Sequence, residues 1–143
     1  MLFRSKKELR KQKEFSQNIL DTLSANIVIL DEEGIIRYTN KSWRTFANNN
    51  GANQNKTGKG VDYLKVLKEA KKQGEEEAVK AYQGIKSVMN GNKNKFKMDY
   101  PCHSPDKKRW FRMEIRDFEN RGSCYVLIQH ENITELKIER ESG

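Results

Sequence analysis

The sequence predicts an α+β fold: a five-stranded antiparallel sheet with helices on one face, an amphipathic helix before it and the start of another after it. Three observations predict it. A helical period near 3.6 residues dominates the middle of the chain. A period of 2 takes over in the last third. Two runs far apart in sequence, Ile27–Leu30 and Cys124–Ile128, are apolar without alternation, as strands covered on both faces are.

The elements follow in chain order. Residues 3–23 read as a helix: Leu2, Leu9 and Leu23 fall on heptad spacing, with Ser16 between, and Phe15, Ile19 and Leu20 widen the stripe. Leu9, Phe15, Ile19 and Leu23 are its packing or dimerisation face. Asn26 to Asp31 is a β-branched strand. Glu32-Glu33-Gly34 is a tight turn with Gly34 free to take positive φ, and Ile35 to Thr39 is the return strand. Asn40 suits an N-cap. The short helix after it places Trp43, Phe46 and Ala47 on one face. Residues 48–60, rich in Asn, Gly and Lys, read as a patternless loop.

Asp62 is placed to cap a helix carrying Tyr63, Val66, Leu67 and Ala70. Beyond Gly74, Ala78, Ala81, Tyr82, Ile85, Val88 and Met89 keep strict helical spacing to a stop at Gly91. Lys95 to Tyr100 and Phe111 to Arg116 alternate apolar with charged residues, so they read as half-buried strands near an edge. The runs 27–30 and 124–128 belong side by side at the centre. Pro101 to Asp106 and Glu119 to Gly122 are turns. Cys124 reads as core, and residues after Thr134 as an acidic helix. The N-terminal helix is available to cover the outer face of the sheet.

Composition narrows the function. A chain of 143 residues is one domain's worth. With 35% hydrophobic and 34% charged residues it is polar, yet its apolar residues are ordered rather than dispersed, which speaks against disorder. No run approaches the roughly 20 apolar residues of a membrane span, and no apolar segment follows the basic N-terminus as in a signal peptide. The expected location is therefore cytoplasmic. Two distant cysteines make neither a disulfide framework nor a zinc site.

The net charge of +8 raises nucleic acid as an alternative partner, through Lys56, Lys59, Lys65, Lys68, Lys71 and Lys72. These lysines lie among Asn and Gly with few aromatics to stack bases, which favours a solvated surface. The acids at Glu32-Glu33 and Glu75-Glu76-Glu77 have structural reasons, a turn and a helix N-terminus. Cys102 and His103 are adjacent on an extended segment and point apart, so they make no nucleophilic dyad. No catalytic residue or metal site is assigned.

Ile29-Leu30-Asp31 with Gly34-Ile35-Ile36, Tyr38-Thr39-Asn40 leading into a helix with Trp43 and Phe46, the Gly91 stop, Trp110-Phe111, and the ending Ile128-Gln129-His130-Glu131-Asn132-Ile133-Thr134-Glu135 together resemble a bacterial PAS domain over about residues 17–138. The ending resembles the Asp-Ile-Thr junction through which such domains pass into a signalling helix, with Asn132 in place of Asp. The resemblance implies an N-terminal linker or dimerisation helix at 1–23, the sensory domain at 24–134, the start of an output helix at 135–143, and Asn132, Ile133 and Thr134 as signal junction. It implies a non-catalytic module serving a sensor histidine kinase or a cyclic-di-GMP enzyme such as a diguanylate (GGDEF) cyclase, with a homodimer and an effector as partners. It also implies a small-molecule pocket between helices and sheet, for which Trp43, Phe46, Tyr63, Tyr82, Ile85, Met98, Met113 and Ile128 are the candidates. No cofactor is assigned: no cysteine occurs in 44–60 for a flavin photoadduct and no histidine in 74–90 for haem, although a haem or flavin sensor stands as the alternative within the family. His103 and His130 read as a solvated turn residue and a structural residue near the junction.

Overall fold

The computed structural model describes residues 5–49, 54–103 and 105–142. Leu2, the first heptad position of the predicted helix, lies outside them. The elements are α1 (Lys6–Thr22), β1 (Asn26–Leu30), β2 (Ile36–Thr39), α2 (Lys41–Asn49), α3 (Gln54–Thr57), α4 (Tyr63–Lys72), α5 (Glu76–Met89), β3 (Lys95–Pro101), β4 (Trp110–Asn120), β5 (Ser123–Asn132) and α6 (Thr134–Ser142). The strands form one antiparallel sheet in the order β2-β1-β5-β4-β3. The two β-branched runs are neighbours, from Asn26 opposite His130 to Leu30 opposite Val126. The alternating strands β3 and β4 take one side, in register from Lys95–Arg116 to Pro101–Trp110.

The inner face of the sheet carries the core. Val28, Ile128 and Ile115 form one rung and Leu30 and Val126 another, closed over by Trp43, Leu67, Ile85 and Val88 from the helices. Gly84 sets how closely α5 lies on the sheet, since a Cβ there would stand 2.7 Å from the Phe96 ring. Gly34 turns the first hairpin with φ of 84°, in the region that favours glycine.

Asn40 does more than cap. It is fully buried, and its Oδ1 accepts from the N–H of both Ile27 and Trp43 at 2.9 Å. Its Nδ2 donates to the carbonyls of Leu20, at 3.0 Å, and Ala25, at 2.8 Å. One amide therefore ties the end of α1, the start of β1 and the start of α2.

Three expectations change. Residues 48–60 are not all loop: Gln54–Thr57 forms one helical turn, held where the Trp43 indole donates to the Thr57 carbonyl at 2.9 Å. Cys124 is exposed, not core, because it lies beside the hairpin turn at Arg121–Gly122, where the β4–β5 pair runs past the helices. Finally, β1 is buried at all five residues, whereas on β5 the outward-facing Tyr125 and Leu127 are only half-buried. The reason is that α1 covers part of the outer face and no more. It buries none of its own residues fully, and an apolar groove of about 370 Å³ separates Ile19 and Leu20 from Ile29, Tyr38, Phe118 and Tyr125.

Candidate functional site

A cavity of about 210 Å³ lies between α2, α3 and the inner face of the sheet, lined by Asn26, Trp43, Phe46, Ala47, Thr57, Tyr63, Tyr100 and His130. The helical period of α2 turns Trp43, Phe46 and Ala47 toward it. Strand pairing brings the other wall, since Asn26 and His130 are direct cross-strand partners and therefore share a face. Tyr100 reaches His130 from β3, its hydroxyl 2.7 Å from Nδ1.

The walls are rings at packing distance. Trp43 meets Tyr63 edge-on at 5.9 Å between centroids and His130 at 6.0 Å, and Tyr100 meets His130 edge-on at 5.8 Å. Among the described lining residues none carries a formal charge at neutral pH, and the electrostatics follow from that. Burial disfavours the imidazolium and pushes the His130 pKa down to about 4. It disfavours the phenolates too, pushing Tyr63 up to about 12 and raising Tyr100 further. The lining is therefore neutral across the physiological range.

Of the pocket candidates read from sequence, Trp43, Phe46 and Tyr63 meet at the cavity. Ile85, Met113 and Ile128 are buried in the core, and Met98 and Tyr82 pack partly against it; none of the five lines the cavity. Asn26, Ala47, Thr57, Tyr100 and His130 also line it and are not among those candidates. A polar residue opening a β-branched strand was the available signal for Asn26; His130 needed the register with Asn26 to be recognised. His103 instead accepts from the Arg109 N–H at 2.9 Å through Nδ1, in the loop between β3 and β4. Lys56, Lys59, Lys65, Lys68, Lys71 and Lys72 are all exposed, with Lys72 beside Glu69 at 3.7 Å and Lys71 over the Tyr82 ring at 5.5 Å. No group of three His, Cys, Asp or Glu among the described residues could hold a metal ion. No described helix is long and apolar enough to cross a membrane.

Two residues beyond His130, β5 ends at a knot of hydrogen bonds. The Thr134 hydroxyl accepts from the Trp110 N–H at 3.0 Å and donates to Asn132 Oδ1 at 2.6 Å. Asn132 Oδ1 also accepts the Thr134 N–H at 3.0 Å, at the start of α6. Ile133 is buried, and its N–H donates to the Trp110 carbonyl at 2.8 Å. An amide oxygen is sufficient for these bonds, so none of them needs the charge of an aspartate. Lys137 of α6 reaches Asp99 of β3 at 3.6 Å, and Arg112 holds the same carboxylate at 2.8 Å, which keeps the Asp99 pKa below the usual carboxylate value. Leu9, Phe15, Ile19 and Leu23 of the N-terminal segment are all exposed.

No family model matches the sequence. The chain is 34% identical over 136 residues to an uncharacterized 104.1 kDa protein from the hypE 3' region of Rhodobacter capsulatus, covering 89% of this chain but only 14% of that protein. In structure it is similar to the PAS domain of Bordetella pertussis BvgS, with a TM-score of 0.59, 14% identity, and coverage of 93% of this chain and 99% of that one. It is also similar to a PAS domain from a two-component sensor histidine kinase, with a TM-score of 0.50, 8% identity, and coverage of 87% of this chain and 98% of that one. Identities this low speak for a shared fold and not for a shared ligand.

Proposed function

We propose that this chain, which has the fold of a PAS domain, is the sensory or signal-relay module of a longer signalling protein, a sensor histidine kinase or a cyclic-di-GMP enzyme. Occupancy of the aromatic cavity, or strain from a neighbouring domain, shifts the end of β5 and with it α6. The observation that carries this reading is the position of His130. It lines the cavity, and it lies on the same face of the same strand as Asn132, two residues on, whose Oδ1 holds the first residue of α6. A cavity of about 210 Å³ is below the usual 300–1,000 Å³ of drug-sized sites. That size favours a small ligand over haem or flavin. On this reading the domain relays a signal, and the chemistry belongs to the effector.

The second part of the reading is a homodimer through α1. Leu9, Phe15, Ile19 and Leu23 are exposed, Phe15 most of all at 68%, and Ile19 lines one groove with the exposed Tyr38 and Phe118. Exposed apolar residues on one helix and on the sheet beside it favour an interaction surface.

The test is Thr134→Ala in the longer protein that carries this domain. It removes the hydroxyl shared by Trp110 and Asn132 without opening the core. Effector output should change at least several-fold while the domain's unfolding midpoint moves little; unchanged output refutes the relay. Light scattering of Phe15→Asp/Ile19→Asp against the parent chain tests the dimer.

A further inference from the structure

Asn26 is 8% exposed, yet its side-chain amide makes no hydrogen bond to any described residue. Its polar atoms are not sealed off either, since no fully buried side-chain nitrogen or oxygen lacks a partner among the described residues. The amide is open to the cavity that Asn26 lines. A carboxamide that is reached only from the cavity, with no partner in the protein, is a group that a ligand there can pair in place of water.

Its cross-strand neighbour supplies a second group. His130 uses Nδ1 toward the Tyr100 hydroxyl, and its Nε2 hydrogen-bonds no described residue. The tautomer we assign has the Tyr100 hydroxyl, which has no other described acceptor, donating to Nδ1. The neutral imidazole then carries its proton on Nε2, which is a donor. Asn26 and His130 stand directly opposite each other on β1 and β5, so their side chains lie about 5 Å apart at Cβ. Together they present a donor, an acceptor and a second donor along one edge of a ring-lined slot.

From this edge we infer that the cavity binds a neutral, planar cyclic amide of one or two fused rings. The ring N–H of the ligand donates to Asn26 Oδ1. Its carbonyl oxygen, with two lone pairs, accepts from Asn26 Nδ2 and from His130 Nε2. Trp43, Phe46 and Tyr63 cover the ring faces. Size sets the upper limit: a cavity of about 150 Å³ holds benzene, and this one is about 210 Å³. Charge sets the class, because no lysine, arginine or carboxylate among the described lining residues would pair with an ion taken from water. The inference rests on the sensory reading for its premise that the cavity is a ligand site.

The experiment is calorimetric titration of the full chain with four probes: quinolin-2(1H)-one, its N-methyl derivative, naphthalene and quinoline-2-carboxylate. The Trp43 indole N–H resonance reports occupancy of the cavity. Quinolin-2(1H)-one should bind one per chain, at least tenfold more tightly than each of the others. Asn26→Leu should weaken it about tenfold and leave the unfolding midpoint equal or higher, since no native hydrogen bond is lost. Asn26→Asp, of the same shape, should weaken it as well. Tighter binding of naphthalene or of the carboxylate, with the Trp43 signal shifted, overturns the ligand class and leaves the sensory cavity standing. Equal binding to parent and Asn26 variants also overturns the class. A Trp43 signal that no probe shifts overturns the inference together with the cavity's role as a ligand site.

Discussion

Asn40→Ala removes the most connected side chain in the fold. The substitution deletes four hydrogen bonds of 3.0 Å or less, two accepted from Ile27 and Trp43 and two donated to Leu20 and Ala25. The groups left behind differ in consequence. The Ile27 N–H faces a buried strand and loses its partner to a void, which costs about 1–3 kcal/mol. The Trp43 N–H is at the first turn of α2, and loss of such a cap costs about 1 kcal/mol. The Leu20 and Ala25 carbonyls lie nearer the surface, where water replaces the amide at little net cost. The sum is about 3 kcal/mol. In urea unfolding followed by circular dichroism, with a slope near 2 kcal/mol/M, the midpoint should fall by about 1.5 M. Thr45→Ala, on the exposed side of α2, should stay within about 0.5 kcal/mol. Asn40→Asp should not rescue, because a carboxylate oxygen would face the two carbonyls that the amide now donates to. A loss below about 1 kcal/mol, or full rescue by Asp, refutes the reasoning that Asn40 ties three elements.

Gly84→Ala brings a Cβ to 2.7 Å from the Phe96 ring; overpacking of about 1–3 kcal/mol should outweigh the helix preference of about 1 kcal/mol gained, and Gly84→Ala/Phe96→Val should recover most of it in the same urea assay. The His130 pKa is pushed down to about 4 from 6.5, so between these values the unfolded chain binds a proton that the folded one does not. Stability should therefore fall as pH drops from 6.5 to 4, by at most about 3 kcal/mol, and His130→Gln should flatten that slope. Asp21, Asp31, Asp99 and Glu114 have pKa values lowered from 3.8 or 4.5, so their contribution is lost in a more acidic window that only adjoins the acid end of the His130 one. Titration of arbitrary duplex DNA at about 50 mM salt should give no measurable binding; binding that falls steeply with salt and is abolished by Lys65→Glu/Lys68→Glu would establish the nucleic-acid alternative.

Sequence alone determined the order and kind of every element except the turn of helix at Gln54–Thr57, and which strands are central, because these follow from local period and from β-branched density. Ile27–Leu30 is buried throughout as its composition implies, and Val126 and Ile128 keep the same promise on β5. It also exposed the Gly34 turn, the Asp62 cap, whose side chain accepts from the Lys65 N–H at 3.1 Å, and the aromatic face of α2. Tertiary structure alone decided the cavity. Asn26 and His130 are 104 positions apart in the chain and become neighbours only through the β1–β5 register, while Tyr100 arrives from a third strand. It also decided that Cys124 is exposed and that Gln54–Thr57 is helical. Those outcomes depend on where the covering helices end and on a bond from the Trp43 indole. Periodicity records which face of an element is apolar; it carries no record of what lies opposite, and a binding site is made of what lies opposite.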